Sequence, residues 1–288
     1  MTDNALGSRP VQSLLGKLEQ STALDRLVEP GQKLARLLKP GKLRDALHGV
    51  WLGHPLHPAL VQVPIGTWLS ASLLDLTGDS DAQARKLTAA GIVMSLPAAV
   101  SGAADWSEQH EQQMRVGVVH ALANVVGLGC YGASLLAGSR RASRRLRLAG
   151  LTAVLISGNL GGHISFRLAG GANHAEAVPH LLEPSWHTLA SESDLAGGTP
   201  VRRMLGEVPI LLVRNEKSIH ALADRCSHMS GSLAEGELAD GCVTCPWHGS
   251  TFSLQDGSVV HGPATSPQPS FLTRVVAGEV QVCLPGAG

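Results

Sequence analysis

Four apolar stretches, at roughly residues 59–76, 87–104, 116–137 and 148–166, follow one another with only short polar links between them. Each has the ~17–25 residues that a helix needs to cross a ~30 Å hydrocarbon layer. Lipid offers backbone N–H and C=O groups no partners, so segments of this length fold there as helices that satisfy their own hydrogen bonds. Joined by links as brief as GDSDAQARK, DWSEQHEQQM and SRRASRRLR, such helices run up and down. Residues 53–170 are therefore expected to form an all-α four-helix transmembrane bundle with both ends on one side. Composition agrees, because charged residues make up only 16% of the chain against about a quarter in soluble domains. Gly158-xxx-Gly162 has the small-xxx-small spacing that lets membrane helices approach closely.

Ahead of the bundle, residues 1–52 form a basic N-terminal segment with leucines at helical spacing: Leu14, Leu15 and Leu18, then Leu24, Leu27 and Val28, then Leu34, Leu37 and Leu38. Pro30-Gly31 and Pro40-Gly41 are expected to cut it into short helices. Lys33, Arg36, Lys39, Lys42 and Arg44 lie among the leucines. Two readings fit this pattern: helices lying flat on an anionic membrane surface, or a cap packed on the protein itself. No export signal is read here, since the segment lacks an early apolar core with a cleavage site.

Beyond a tether at residues 171–184 the texture changes. Short runs such as ILLVR, SIHALA and FLTRVV alternate apolar and polar residues between turns, which predicts an all-β domain over residues 185–288. Within it stand Cys226-Ser227-His228 and Cys245-Pro246-Trp247-His248, separated by sixteen residues. Two thiolates suit one ferric iron and two neutral imidazoles a second. A zinc site with two Cys and two His is the competing use of such donors.

The order Cys-x-His, then Cys-x-x-His, resembles the Rieske ferredoxin family over roughly residues 186–284. Gly249-Ser250 after the second His, Asp256-Gly257 at the next turn and Gly262-Pro263, similar to a proline loop covering the cluster, extend the resemblance. It implies a [2Fe–2S] cluster on Cys226, His228, Cys245 and His248. Rieske proteins of respiratory complexes also carry two bridging cysteines and a tyrosine. Here the matching positions are Gly231, Trp247 and Phe252, which points to a low to intermediate potential. Ser250 remains to hydrogen-bond a bridging sulfide, and Cys242 and Cys283 are expected to be small buried apolar residues.

His54-Pro55-Leu56-His57-Pro58 opens the first apolar stretch. This motif resembles an uncharacterised membrane family, domain-of-unknown-function family 2231, over about residues 50–170, which implies a fold but no activity. Ionisable residues inside a bilayer are costly and read as functional. In a four-span arrangement His54, His57, His120 and His163 all fall toward one membrane face. His120 and His163 have similar expected depth, and Gly117, Gly127, Gly161 and Gly162 leave room for a bis-histidine haem b. A quinone pocket or a transition-metal site are the alternatives, and interfacial capping accounts equally well for His54 and His57.

The expected function is one-electron transfer between a soluble partner, such as a reductase or cytochrome, and a haem, quinone or protein centre at the membrane. That makes the chain an electron-transfer protein or oxidoreductase component rather than a stand-alone enzyme. A membrane-anchored redox sensor or scaffold is the second reading. An oxygenase component is a third, but oxygenases need a mononuclear iron site of two His and a carboxylate, for which no further domain remains. Zero net charge gives no reason to expect a nucleic-acid partner. The chain is expected in the cell membrane. Arginines of the third link and the basic N-terminus oppose each other under the positive-inside rule. The lack of an export signal puts the β domain in the cytoplasm.

Overall fold

The computed structural model describes residues 10–78, 81–216 and 218–285; the outermost ends of the expected first and last domains, residues 1–9 and 286–288, lie outside the described residues. The helices are α1 (Pro10–Glu19), α2 (Asp25–Ala35), α3 (Lys42–His48), α4 (Leu56–Leu60), α5 (Gln62–Thr77), α6 (Asp81–Trp106), α7 (Glu111–Leu136), α8 (Arg140–Gly162) and α9 (Val178–Leu181). Two compact units emerge: Met1–Lys39 with Leu56–Gly170, and Pro40–Pro55 with Gly171–Gly288. The segment expected over 1–52 is thus divided between them.

In the first unit α5 packs on α6, α6 on α7, α7 on α8 and α8 on α5, closing a four-helix bundle. Among the described residues three helices, Leu56–Thr77, Asp81–Trp106 and Glu111–Leu136, are long and apolar enough to cross a membrane. Four were expected. The difference is α8, whose first turns carry Arg140, Arg141, Arg144, Arg145 and Arg147. These arginines are helical rather than a loop, and Arg147 is turned into the bundle. The first span bends after α4 because Pro64 has no N–H to give the Leu60 carbonyl.

The bundle exposes many large apolar side chains and buries several small hydroxyls beside its apolar clusters. Leu69, Leu73, Val93, Leu96, Val125 and Ile156 are exposed, while Thr88, Ser101, Ser134, Ser143 and Ser157 are buried. Only 28% of the most apolar window of each spanning-length helix is buried within the protein. Arg147 is fully buried, bonded to both carboxylate oxygens of Asp75 at 2.6 Å and to Asp81 at 2.8 Å. One guanidinium thereby ties α5, the start of α6 and α8 together. Trp68 stacks on Tyr131 at 4.4 Å and lies so close to Gly91 that a Cβ there would stand 2.3 Å from the indole nitrogen.

Residues 10–35 form the cap rather than a free surface helix. Leu15 and Leu18 pack against Val116, Leu160 and Ile164, and Val28 against Met114, Val118 and Trp106. Asp25 receives two hydrogen bonds from Arg115, at 2.7 and 2.9 Å. Leu14, Leu27, Leu34 and Leu37 point outward and stay exposed. Pro30 does not end a helix as expected: it sits inside α2, with Gly31 against the Trp106 ring. Pro40-Gly41 does separate α2 from α3.

Among the described residues the second unit has ten antiparallel strands: β1 (His187–Ser191), β2 (Pro200–Leu205), β3 (Val208–Arg214), β4 (Ile219–Ala223), β5 (Glu237–Ala239), β6 (Cys242–Thr244), β7 (Thr251–Ser253), β8 (Val259–His261), β9 (Ser270–Val276) and β10 (Glu279–Cys283). Six form one sheet in the order β1-β10-β9-β4-β3-β2, and β5-β6-β7-β8 form a second. Side chains alternate faces along a strand, and β3 is buried on both. Its Val208, Ile210 and Leu212 join Ala221, Phe271, Val280 and Val282 in one core. Leu211 and Val213 join Leu222, Val243 and Phe252 in the other, which also holds Cys226 and Cys245. The strand thus separates a purely structural core from the one beneath the cysteines.

Candidate metal centre

Cys226-Ser227-His228 follows β4 on the way into the small sheet, and Cys245-Pro246-Trp247-His248 forms the tip between β6 and β7. The two loops share one backbone design. Each cysteine N–H donates five residues ahead, Cys226 to Gly231 O and Cys245 to Ser250 O, both at 2.8 Å. Each cysteine carbonyl accepts from four residues ahead, from Ser230 at 2.8 Å and Gly249 at 3.1 Å. Ser230 and Gly249 take positive φ, 64° and 78°, to close the turns. The result buries both sulfurs and leaves both imidazoles half-buried, their rings 5.0 Å apart and edge to face.

Backbone N–H groups of His228 and Met229 bond to the Cys226 sulfur, and those of Trp247 and His248 to the Cys245 sulfur. Cys226 donates to Cys245. This bond, and after it burial, pushes the Cys226 thiol up. The same bond draws Cys245 down to about 7 against the effect of burial. Metal ligation by these sulfurs requires both as thiolates. Two imidazoles sharing one metal, each with a bond of ~2.0–2.1 Å, bring their ring centres to about 5–6 Å, as His228 and His248 are placed. The donor set fits a [2Fe–2S] cluster.

Gly231 closes the space between the loops: a Cβ there would lie 2.9 Å from the Cys245 sulfur and 3.0 Å from the Trp247 ring. Nothing larger fits, so the bridging disulfide of respiratory proteins has no place here. Phe252 is fully buried in the cysteine core. Ser250 is buried and accepts from Ala264 N–H at 2.9 Å. Cys242 and Cys283 are half-buried rather than core residues. The cluster is expected to titrate in the lower part of the ~−150 to +300 mV range of such centres, and Phe252→Tyr to raise the midpoint by bringing a hydroxyl to the cysteine core. A redox titration followed by visible absorption measures both, and a wild-type midpoint near the top of the range contradicts the account.

Two residues without any motif also hold the site. Gln268 is buried, accepts from Ser227 N–H at 3.0 Å and donates to the Ala223 carbonyl at 2.6 Å and to Arg225 O. Gly257 seats it, since a Cβ there would meet the Gln268 carbonyl at 1.9 Å. Buried Asp224 accepts from Ala234 N–H at 2.7 Å and the Ser232 hydroxyl at 2.9 Å. Only the Asp256-Gly257 turn hinted at this support in the sequence.

The histidines of the HPxHP motif and the bundle separate. His54 is exposed, its Nδ1 3.0 Å from Pro55 O. His57 Nδ1 donates to Ala98 O at 2.8 Å, and His120 Nδ1 donates to Ser157 O at 2.8 Å. Their rings meet edge to face, with centres 6.3 Å apart. His120 Nε2 lies 3.1 Å from Asn124 Nδ2. His163 instead pairs with Glu19 at 2.8 Å. The bis-histidine pair expected from His120 and His163 is thus not what the bundle builds, because a cap residue distant in sequence occupies His163.

The family described as Rieske [2Fe-2S] domain matches residues 185–272, and that described as Predicted membrane protein (DUF2231) matches residues 53–174. The anthranilate 1,2-dioxygenase ferredoxin subunit of Burkholderia cepacia is 34% identical over 97 residues, 34% of this chain and 90% of that protein. Ferredoxin CarAc of Metapseudomonas resinovorans is 34% identical over 99 residues, 34% of this chain and 92% of its own. The solved complex of reduced oxygenase and oxidized ferredoxin in carbazole 1,9a-dioxygenase shares 32% identity at a TM-score of 0.33, covering 35% of this chain and 94% of that one. By the family models and the two ferredoxin relatives the chain belongs to the Rieske [2Fe–2S] ferredoxin family through its β domain, fused to a DUF2231 predicted membrane domain.

Proposed function

We propose that the chain is a membrane-anchored electron carrier, passing one electron at a time between a soluble partner and a redox centre in or near the bilayer. Cys226 and Cys245 hold one iron of the cluster, and His228 and His248 the other. The observation that carries this reading is the combination, in one chain, of a complete Rieske donor set with a bundle whose long apolar helices expose large apolar side chains. The bound cluster supplies a reversible one-electron couple. The chain's own contribution is to bury the sulfurs, aim four backbone N–H groups at them and leave the imidazole edges accessible to a partner. Relatives named as ferredoxin subunits of dioxygenases support a soluble protein as that partner. Cytoplasmic placement of the β domain, at the cell membrane, completes the reading.

The membrane-side centre is seated at His57 and His120. Each ring gives its Nδ1 proton to a backbone carbonyl, as metal-bound imidazoles usually do; His120 Nε2 accepts from the Asn124 side-chain amide at 3.1 Å, a bond that a ligand there would displace. The two rings lie 6.3 Å apart, centre to centre, and haem b, which His57 and His120 would hold through Nε2, is the favoured occupant. A quinol would instead donate a hydroxyl hydrogen to an imidazole there. Pyridine haemochrome and lipid-extract analysis of protein made with ample haem distinguish the two. His57→Ala with His120→Ala is expected to abolish cluster reoxidation by membrane acceptors while sparing the cluster spectrum. Unchanged reoxidation, with neither haem nor quinone bound, makes both histidines structural.

A further inference from the structure

We propose that Asp45, on a segment outside the ferredoxin-like region, is a positioning residue for the metal centre, and that residues 40–55 form a strap that holds the loop beside ligand His248. The inference builds on the ligand assignment above and adds a part that the matched region, residues 185–272, does not contain. Pro40–Pro55 belongs to the same compact unit as the β domain. Within it α3 runs between Gly41 and Gly49, both at positive φ.

Asp45 uses both carboxylate oxygens on consecutive residues of one loop. Oδ2 accepts from His261 Nδ1 at 2.9 Å, and Oδ1 accepts from Gly262 N–H at 2.9 Å. A two-point grip fixes direction as well as distance, which one hydrogen bond does not. The seam is tight: a Cβ on Gly262 would stand 3.1 Å from Val50 Cγ2 and 3.4 Å from His48 Cδ2. From there the loop reaches both ligand turns. Ala264 N–H donates to Ser250 Oγ, two residues past His248, and Ser266 O accepts from Ser227 Oγ between the first ligand pair. Asp45 therefore holds the outer end of a loop whose inner end is bonded to Ser227 and Ser250 in the two ligand turns. Between strap and ligand turn lies a cavity of about 340 Å³, lined by Arg44, His48, His248 and His261 among others. Strap and cluster loop are 216 residues apart in sequence, so the grip also ties the ligand turn to the chain that continues directly into Leu56 and His57.

Hydrogen bonds to and near the sulfurs, together with solvent access, set the potential of such a centre, so a loosened loop is read in the potential. The test compares full-length Asp45→Ala and Asp45→Asn with wild type, by amide hydrogen exchange over residues 261–266 and by redox titration. Loss of two bonds to a carboxylate is expected to speed exchange in this loop about ten- to a hundredfold, with β3 unchanged, and to move the midpoint. Asparagine keeps an acceptor for Gly262 N–H and should fall between wild type and alanine in both readouts. If alanine prevents cluster incorporation, the asparagine variant supplies the same two measurements. Wild-type exchange and potential in both variants overturn the proposal. So does faster exchange without a change in potential, which makes Asp45 a structural tie only. Asparagine matching alanine in potential while its loop exchanges as wild type reduces the effect to charge and also overturns it. Because exchange is read on the backbone, it stands apart from any failure of the ligand assignment, which the wild-type spectrum would reveal by itself.

Discussion

Replacing Cys226 or Cys245 with serine will abolish the cluster, and replacing His228 or His248 with cysteine will abolish it or convert it to a centre of different spectrum. The four positions are not interchangeable. Both sulfurs are buried in one core and receive backbone N–H groups from their own loops, an environment that favours thiolate and that serine's oxygen does not exploit. The imidazoles are half-buried at the loop tips, and a cysteine at either adds negative charge where a neutral ligand had kept the potential up. Cys242→Ser is the control. Its sulfur lies on β6, 3.7 Å from Asp240 O, and outside the cysteine core. Iron and sulfide content with the visible spectrum measure each variant. Loss of the cluster in Cys242→Ser with retention in Cys226→Ser would overturn the ligand assignment.

The second large effect concerns stability. Asp75→Ala is expected to destabilise the bundle by about 3–5 kcal/mol, because it leaves the buried Arg147 charge without its main partner. Arg147→Met, which leaves Asp75 and Asp81 facing each other without the cation, falls in the same range. The pair replaced together, Asp75→Leu with Arg147→Met, should recover most of the loss, since an apolar pair of similar volume carries no desolvation cost. Thermal unfolding of the purified full chain in one detergent compares them. A double variant no more stable than either single one would show that the ion pair contributes directionality that packing does not replace.

Local chemistry was legible in the sequence and long-range pairing was not. Cys226, His228, Cys245 and His248 can be read because each ligand pair lies within four residues and one turn presents it. The helices can be read because apolar length is a local property. Which histidines meet is decided by tertiary packing: Glu19 reaches His163 across 144 residues, and His57 on α4 meets His120 on α7. Arg147 reads as a loop charge until α8 is seen to begin at Arg140 and carry it inward. Pro30 reads as a break, yet the packing of Val28 on α7 keeps α2 intact through it. Gln268 was hinted at only by the turn at Gly257, since it acts through backbone groups, and Asp45 lies 216 residues from the His261 and Gly262 that it holds.

The reduced paramagnetic resonance spectrum of the intact, purified chain tests the central claim most directly. A [2Fe–2S] cluster with two imidazoles on one iron gives an average g-value below that of an all-cysteine cluster, and the account predicts this low-average signal at one cluster per chain. An all-cysteine signal, or a diamagnetic protein containing zinc in place of iron, would contradict it.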